Sequence, residues 1–176
     1  MKSGFNHKMF KIERNKYPYR KSVLGIIVNN DKEFLIVQKL SYKDNEWSFA
    51  GGGIDENETP NRAVLRELKE ELGSENFKII TESKIPYRYE WPENVILERF
   101  DKKGELFRGQ KLTYFLIKFV GEKSELKIQE SEIKAIKWTV LENLSQYLVF
   151  PDQWSTAKKV IDEIKQEIDR IVQTPS

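Results

Sequence analysis

Three glutamates lie three and four positions apart in the middle of the chain, in a stretch with helical periodicity. They are Glu67, Glu70 and Glu71. Residues at these spacings share one side of a helix, so their carboxylates repel one another and weaken the isolated helix. Arg66 and Lys69 can offset part of this repulsion, and a divalent cation would offset more of it. Because all the side-chain ligands would be oxygen atoms, the site would suit Mg²⁺ or Mn²⁺.

The helix that carries these glutamates has start and stop signals. Thr59 is a predicted N-cap, Pro60 suits the first helical position and Gly73 suits the position after the last turn, so we expect a helix from about Pro60 to Leu72. The glycine run from Gly51 to Gly53 would let the backbone approach a ligand closely. Since a solvated acidic face would also explain such a helix, the helix alone does not establish a metal site.

The amino-acid composition argues against most catalytic mechanisms other than metal-assisted ones. The 176 residues include no cysteine and one histidine, His7, which excludes disulfide scaffolds and thiolate metal sites and argues against a Ser-His-Asp triad. Lys+Arg 30 against Asp+Glu 28 gives a net charge of +2, which is not typical of a generally basic nucleic-acid-binding protein. The chain has no apolar run of membrane-spanning length and no secretory signal, so we expect a cytoplasmic protein with no membrane partner.

Apolar alternation predicts strands interspersed with helices, and therefore an α/β class with a mixed sheet. Residues 23–28 and 34–37 are predicted to form a hairpin across the turn at Asn29, Asn30 and Asp31. The other predicted strands are 47–49, 77–81, 84–90, 111–120 and 133–140. The polar stretch 92–109 is predicted to be a long loop.

The two ends of the chain differ in character. Residues 1–18 form a basic arm, either a solvated tail or a phosphate-seeking segment, and residues 19–176 form the single domain. A helix from about residue 155 to 172 carries a narrow apolar stripe. Its members are Trp154, Ala157, Ile161, Ile164, Ile168 and Ile171. We expect the stripe to dock on the sheet, although a dimerisation seam is the alternative, so both monomer and homodimer stay open.

The segment 52–74 resembles the Nudix box, the signature of a superfamily of Mg²⁺-dependent pyrophosphohydrolases. That signature has Gly, five residues, Glu, seven residues, and then Arg-Glu, an aliphatic residue, any residue, Glu-Glu, any residue, Gly and an aliphatic residue. The positions in register are Gly52, Glu58, Arg66, Glu67, Leu68, Glu70, Glu71 and Gly73. Seven fixed letters would fall in register by chance on the order of once in a million such chains. Ser74 stands where the family has an aliphatic residue, and we expect looser packing there without loss of chemistry.

The resemblance extends over about residues 19–140 to the branch of RNA pyrophosphohydrolases and dinucleoside polyphosphate hydrolases. The similar runs are Tyr19-Arg20, Trp47 to Ile54, Gly109-Gln110-Lys111, and Glu132 six residues before Trp138. Ala50 and Gly51 differ from the Pro and Gln of that branch, which leaves the substrate open.

The resemblance implies a Nudix α/β/α sandwich and attack of water on phosphorus in a nucleoside diphosphate linked to another group. In that reaction Glu70 and Glu71 would bind metal together with the Gly51 carbonyl. Glu67 would bind metal or act as the general base, and Arg66 would orient a glutamate of the cluster. The supporting positions are Gly52, Gly53, Glu58 and Gly73, and Glu132 is a candidate extra ligand, with Glu130 as its rival.

Phosphate contacts need cations, and Arg20, Lys39 and Lys111 are the candidates near the site. One of Tyr114 and Phe115 is expected to line a base pocket, because strand alternation lets only one of them face it.

We favour a dinucleoside polyphosphate or a 5′-triphosphate RNA end as substrate. The alternatives are a housecleaning hydrolase of damaged nucleoside triphosphates, a nucleotide-sugar hydrolase, and a non-catalytic module that binds nucleotide or RNA. The stretch 92–109 is the expected specificity element.

Overall fold

A computed structural model describes residues 13–173, and its centre is a mixed sheet of six strands. The strands are β1 (Tyr19–Val28), β2 (Phe34–Lys39), β3 (Phe77–Glu82), β4 (Tyr87–Glu90), β5 (Gly109–Phe119) and β6 (Ile133–Thr139). Their order is β3-β5-β1-β2-β6, and β4 pairs with the first part of β5. Only the β1–β5 pair is parallel among these pairings.

The sheet lies between two helical layers. The α-helices within the described residues are α1 (Pro60–Leu72), α2 (Glu93–Lys103), α3 (Leu144–Tyr147), α4 (Gln153–Glu163) and α5 (Lys165–Gln173). Short 3₁₀ turns span Arg14–Lys16, Lys123–Glu125 and Leu141–Asn143.

Strand alternation divides the core into two layers, one on each side of the sheet. On one side, Val23 and Ile27 of β1 pack with Leu68 of α1. On the other side, Ile26 and Val28 pack with the C-terminal helices. The helix residues in that second layer include Ala157, Val160, Ile161, Ile164, Ile168 and Ile171. The predicted α/β/α sandwich and the docking of the apolar stripe on the sheet are therefore confirmed.

The segment 47–53 is not the regular strand that was predicted for 47–49. β1 and β2 pair only at Ile27–Leu35 and Val28–Phe34 and then diverge. The segment fills the opening between them through isolated bridges, which join Ser48 to Val37, Ala50 to Gly25 and Gly53 to Ser22. A strand assignment fails here because the pairing partner changes from β2 to β1 within a few residues.

The predicted loop at 92–109 is wrong, because α2 occupies most of it. Ile96 of α2 is fully buried against Trp91 in a small separate cluster. The helix ends at Gly104, which has a φ of 68°. Its apolar side is short, so the 3.6-residue periodicity is weak, and only the glycine after the last turn gave a signal.

The C-terminal helix is also not continuous as predicted. It breaks at Ile164, whose φ of −97° and ψ of 12° separate α4 from α5. Ile161, Ile164 and Ile168 nevertheless remain buried across the break. The bend lets both helices follow a sheet surface that is itself twisted.

The starts of two strands differ most from prediction. β1 begins at Tyr19 rather than at residue 23, since β5 pairs with it from Gly109 onward. β4 begins at Tyr87 rather than at residue 84. No helix within residues 13–173 is long and apolar enough to cross a membrane.

The described part of the predicted basic arm is docked on the domain. Arg14 donates hydrogen bonds to the carbonyls of Trp91 and Arg108 and lies 3.0 Å from a carboxylate oxygen of Glu90. Lys16, the other basic residue in the described part of the arm, is exposed and lies 2.7 Å from Glu13. Lys2, Lys8 and Lys11 lie outside the described residues, as does His7.

Ile161→Ala tests the docking of the C-terminal helices. Ile161 is 2% exposed, so its truncation should lower the free energy of unfolding by about 2–4 kcal/mol. The exposed Lys159→Ala should change it by less than about 0.5 kcal/mol. Urea unfolding measures both, and sedimentation velocity measures assembly. A stripe that serves dimerisation would instead give a slower-sedimenting variant with unchanged stability.

Candidate active site

Backbone hydrogen bonds hold the glycine-containing loop against the first half of β1. The Val23 N–H donates to the Gly52 carbonyl at 2.9 Å, and the Gly25 N–H donates to the Ala50 carbonyl at 2.9 Å. The Ile54 N–H returns a hydrogen bond to the Lys21 carbonyl at 3.1 Å. The loop is thereby fixed to the central sheet.

Side chains at this loop would collide with the groups that surround it. Gly51 has a φ of 143°, and a Cβ there would strike the Val23 carbonyl oxygen. A Cβ on Gly52 would strike the carboxylate of Glu67, and one on Gly53 would strike the guanidinium of Arg20. The glycines therefore let the loop backbone lie in contact with an acidic group on one side and a cationic group on the other.

α1 has the predicted bounds and caps. The Thr59 Oγ1 accepts a hydrogen bond from the Arg62 N–H at 3.4 Å, and Gly73 adopts the left-handed conformation with a φ of 65°. Ser74 is buried, and its Oγ accepts from the Asn76 N–H at 3.1 Å. The position where the family signature has an aliphatic residue thus holds a hydroxyl that satisfies the turn after the helix.

Glu71 is the most buried acidic side chain of the site, with 1% exposure. Its Oε2 accepts from the Gly51 N–H at 2.9 Å, and its Oε1 accepts from the Lys39 Nζ at 2.7 Å. The same Nζ donates to the Gly51 carbonyl at 3.0 Å. Lys39 therefore links the loop to the helix through its ammonium group.

Burial and charge act in opposite directions on this pair. Burial lowers the pKa of Lys39, but the charge and hydrogen bond of Glu71 outweigh it, so the pKa of Lys39 is raised. Burial raises the pKa of Glu71 by more than Lys39 and the Gly51 N–H lower it, so the pKa of Glu71 is raised. The 2.7 Å contact and the N–H bond both stabilise the carboxylate, so we take the pair as ionised at neutral pH.

Arg66 organises the other half of the cluster. Its Nε and Nη2 donate to the two carboxylate oxygens of Glu58 at 2.9 and 2.8 Å, and Nη2 also donates to the Gly53 carbonyl at 2.8 Å. Its Nη1 donates to Glu67 at 2.9 Å and to Glu70 at 3.3 Å. Arg66 thus separates the like charges of Glu67 and Glu70, whereas Lys69, the other cation considered from sequence, pairs with Glu75.

The contacts of Arg66 and the burial of the cluster shift the pKa values of Glu58 and Glu67 in opposite directions. Hydrogen bonding from Arg66 lowers the pKa of Glu58. Burial raises the pKa of Glu67, and the nearby Glu70 charge adds to the rise, although Arg66 opposes it. A carboxylate with a raised pKa is better matched to proton abstraction near neutral pH than an ordinary glutamate.

The donor set suits a hard divalent cation. Glu67, Glu70, Glu71 and the Gly51 carbonyl offer only oxygen atoms, the ligands that Mg²⁺ and Mn²⁺ prefer. Within residues 13–173, no three acidic or histidine side chains already surround a common point as metal ligands. Arg66 and Lys39 instead hold the carboxylates, so binding an ion would require these contacts to rearrange.

The remaining predicted residues are less closely grouped. Glu132 is exposed, and its carbonyl accepts from the Leu40 N–H at 2.9 Å, directly after Lys39. Glu130 is exposed as well.

Tyr114 and Phe115 are 2% and 0% exposed, on opposite sides of the sheet. The expectation that one of these rings lines a base pocket is therefore wrong, because both are core residues.

The pairing of β5 with β1 and β4 forms a row of three cationic side chains that was not predicted from the sequence. Lys111 lies opposite Lys21 of β1 on one side and opposite Arg88 of β4 on the other. All three side chains are exposed. The row was missed because only the pairing of strands that are distant in sequence brings its three members together.

Arg20 lies at the loop as predicted, beside Gly53. Burial lowers its pKa, the positive charge of Arg99 lowers it further, and the charges of Glu105 and Glu67 oppose the shift. Arg99 and Glu105 belong to the 92–109 stretch, so α2 and its following turn influence the electrostatics of Arg20.

Comparisons with known proteins identify the family of the chain. The family model described as the NUDIX domain matches residues 18–164. The chain belongs to the Nudix family, and the identification made from its box is confirmed.

Curated relatives identify the branch of the Nudix family that this chain resembles. An RNA pyrophosphohydrolase of Rickettsia prowazekii (strain Madrid E) is 33% identical over 164 residues, which cover 90% of this chain and 97% of that protein. The RNA pyrophosphohydrolase of Rickettsia typhi (strain ATCC VR-144 / Wilmington) has the same identity and coverage. The resemblance to this branch is therefore confirmed, and the chain is a Nudix pyrophosphohydrolase, an enzyme that acts on pyrophosphate bonds. The alternative of a non-catalytic module is set aside.

Solved structures share the fold. The E. coli dihydroneopterin triphosphate pyrophosphohydrolase aligns with a TM-score of 0.65 at 19% identity, over 85% of this chain and 99% of its own. A C. elegans Ap4A hydrolase binary complex aligns with a TM-score of 0.62 at 23% identity, over 84% of this chain and 98% of its own.

Glu58→Gln tests the contribution of the Arg66 contacts to stability. Because the folded-state pKa of Glu58 is lowered below 4.5, its ionised form stabilises the fold above the unfolded-state pKa, and this stabilisation is lost as pH falls through the folded-state value. The variant should be about 1 kcal/mol less stable at pH 7, and the difference should shrink below about pH 4.5. Urea unfolding across pH measures it, with the exposed Glu56→Gln as control. A deficit that grows on acidification would contradict the assignment.

Proposed function

We propose that this pyrophosphohydrolase depends on Mg²⁺, which Mn²⁺ can replace, and cleaves a phosphoanhydride bond at a 5′-triphosphate RNA end or in a dinucleoside polyphosphate. The observation that carries the chemistry is that the Gly51 N–H binds Glu71 of α1 while the Lys39 ammonium bridges Glu71 and the Gly51 carbonyl. The substrate class is supported by relatives named as RNA pyrophosphohydrolases that match over nearly their whole length. Such substrates agree with a cytoplasmic location.

The residues of the cluster have distinct proposed roles. Glu70, Glu71 and the Gly51 carbonyl would hold the ion, and Glu67 would either join them or take the proton from the attacking water. A bound divalent ion would neutralise phosphate oxygens and favour ionisation of that water. Arg66, anchored on Glu58 and the Gly53 carbonyl, would keep the glutamates oriented. Glu132 remains a candidate extra ligand.

The phosphate chain would be bound by cations outside the cluster. Arg20 lies against Gly53 and within electrostatic reach of Glu67, so it can contact a phosphate next to the reacting one. The row of Lys21, Lys111 and Arg88 places like charges directly opposite one another, which destabilises neighbouring strands unless an anion compensates. A polyphosphate or a short stretch of RNA backbone supplies such an anion.

Glu70→Gln and Glu71→Gln test the metal-binding roles. Each removes a carboxylate charge while keeping the side-chain shape, so turnover should fall by about 100-fold or more with unchanged circular dichroism. Glu75→Gln, which changes an exposed glutamate paired with Lys69, should keep activity. Pyrophosphate and phosphate release with Mg²⁺ measures all three. Full activity in either cluster variant would refute the assignment.

A substrate panel tests the proposed class. With Mg²⁺, kcat/KM for a 5′-triphosphate RNA or a dinucleoside tetraphosphate should exceed that for nucleoside triphosphates by about ten-fold or more, because the extra nucleotide contacts add binding energy. The panel also includes damaged nucleoside triphosphates, ADP-ribose and nucleotide sugars. Faster turnover of any of these would favour the housecleaning or nucleotide-sugar alternatives.

A further inference from the structure

We propose that the Lys39 ammonium and the divalent cation compete for the same two ligands, so that the entering ion displaces Lys39 and makes it available to the substrate phosphates. The proposal rests on the metal dependence put forward above and adds a coupling between ion binding and phosphate binding. Lys39 would then be a substrate-binding residue that exchanges Glu71 for a phosphate during the cycle.

The ligands of the ammonium group are the first argument. Lys39 Nζ is 2.7 Å from Glu71 Oε1 and 3.0 Å from the Gly51 carbonyl oxygen. These are two oxygen donors of the kind a divalent ion takes, and both are assigned to the ion in the proposed mechanism. A positive charge is therefore already held where the ion's charge would lie.

The burial of Glu71 makes the contact exclusive. With 1% of its side chain exposed, Glu71 has one oxygen committed to the Gly51 N–H and the other to Lys39. An ion that uses Oε1 and the Gly51 carbonyl must replace the ammonium, because two cations a few ångströms apart repel strongly beside a buried carboxylate. Without either cation, a buried carboxylate would be left uncompensated, so one partner must always be present.

Lys39 lies at an irregular strand end and is partly exposed to solvent. Lys39 is the last residue of β2, and the pairing register with β6 shifts between Gln38 and Lys39. Such an irregularity redirects a side chain relative to the regular strand. The side chain is 27% exposed, so the stem reaches the edge of the site. The ammonium can therefore leave Glu71 and remain close enough to meet a phosphate.

Charge removal at Lys39 tests the competition. Lys39→Met keeps the aliphatic stem and removes the competing charge. The dissociation constant for Mn²⁺ should therefore be at least roughly five-fold lower than in the wild-type enzyme, a change within the usual range for coupled ligands. Electron paramagnetic resonance of free Mn²⁺ measures the dissociation constant without substrate. Lys78→Met, at an exposed position on β3, controls for the change in net charge. Equal or weaker Mn²⁺ binding by Lys39→Met would overturn the proposal.

Chemical labelling of the wild-type enzyme tests displacement without any substitution. The reductive methylation rate of Lys39, followed by mass spectrometry, should rise when Mn²⁺ saturates the site, whereas the rate at Lys78 should not change. Unchanged or slower labelling of Lys39 at saturating Mn²⁺ would overturn the proposal even if Lys39→Met fails to fold.

The same titration separates this inference from the proposed metal dependence. If the wild-type enzyme binds no Mn²⁺, both fail. If it binds Mn²⁺ and neither the affinity in Lys39→Met nor the labelling of Lys39 changes, the metal dependence stands and only the competition fails.

Discussion

The buried carboxylate of Glu71 is the constraint around which the site is organised. It lies where the glycine-containing loop, the box helix and the end of β2 meet, and each supplies part of its environment. The loop gives the Gly51 N–H, the strand gives Lys39, and the helix fixes its position by the packing of Leu68 and Leu72. Since an unpaired charge with 1% exposure would be strongly destabilising, these three elements are held in register by the need to compensate it.

Arg66 reduces the repulsion between Glu67 and Glu70 by donating a hydrogen bond to each. It does so from a fixed position, because Glu58 and the Gly53 carbonyl bind its other nitrogens. The two cations differ in how firmly they are held. Arg66 donates to Glu58, Glu67, Glu70 and the Gly53 carbonyl, whereas the Lys39 ammonium donates to Glu71 and the Gly51 carbonyl. In the proposed exchange Lys39 would leave Glu71, and the Arg66 contacts to Glu67 and Glu70 would change, while the Arg66 contacts to Glu58 and the Gly53 carbonyl would keep its position.

The box helix and the sandwich were predictable because their signals are local or strongly patterned. Thr59 and Gly73 define the helix ends by capping chemistry, and alternation along β1 assigns its residues to two core layers. The ion pair between Lys39 and Glu71 was not predictable, because it depends on the loop lying against β1 and on a register shift in β2. Ile96 and the break at Ile164 were missed for a related reason: a short or interrupted apolar stripe gives little periodicity, and tertiary packing decides the outcome.

An anomalous difference map from a crystal soaked in Mn²⁺ would test the central claim most directly. The account predicts that its strongest peak lies within about 2.5 Å of the Gly51 carbonyl oxygen and a Glu71 carboxylate oxygen, with Glu70 also turned toward it and Lys39 Nζ moved away. A saturating soak that leaves the Lys39–Glu71 pair intact and places its peak elsewhere would contradict the account.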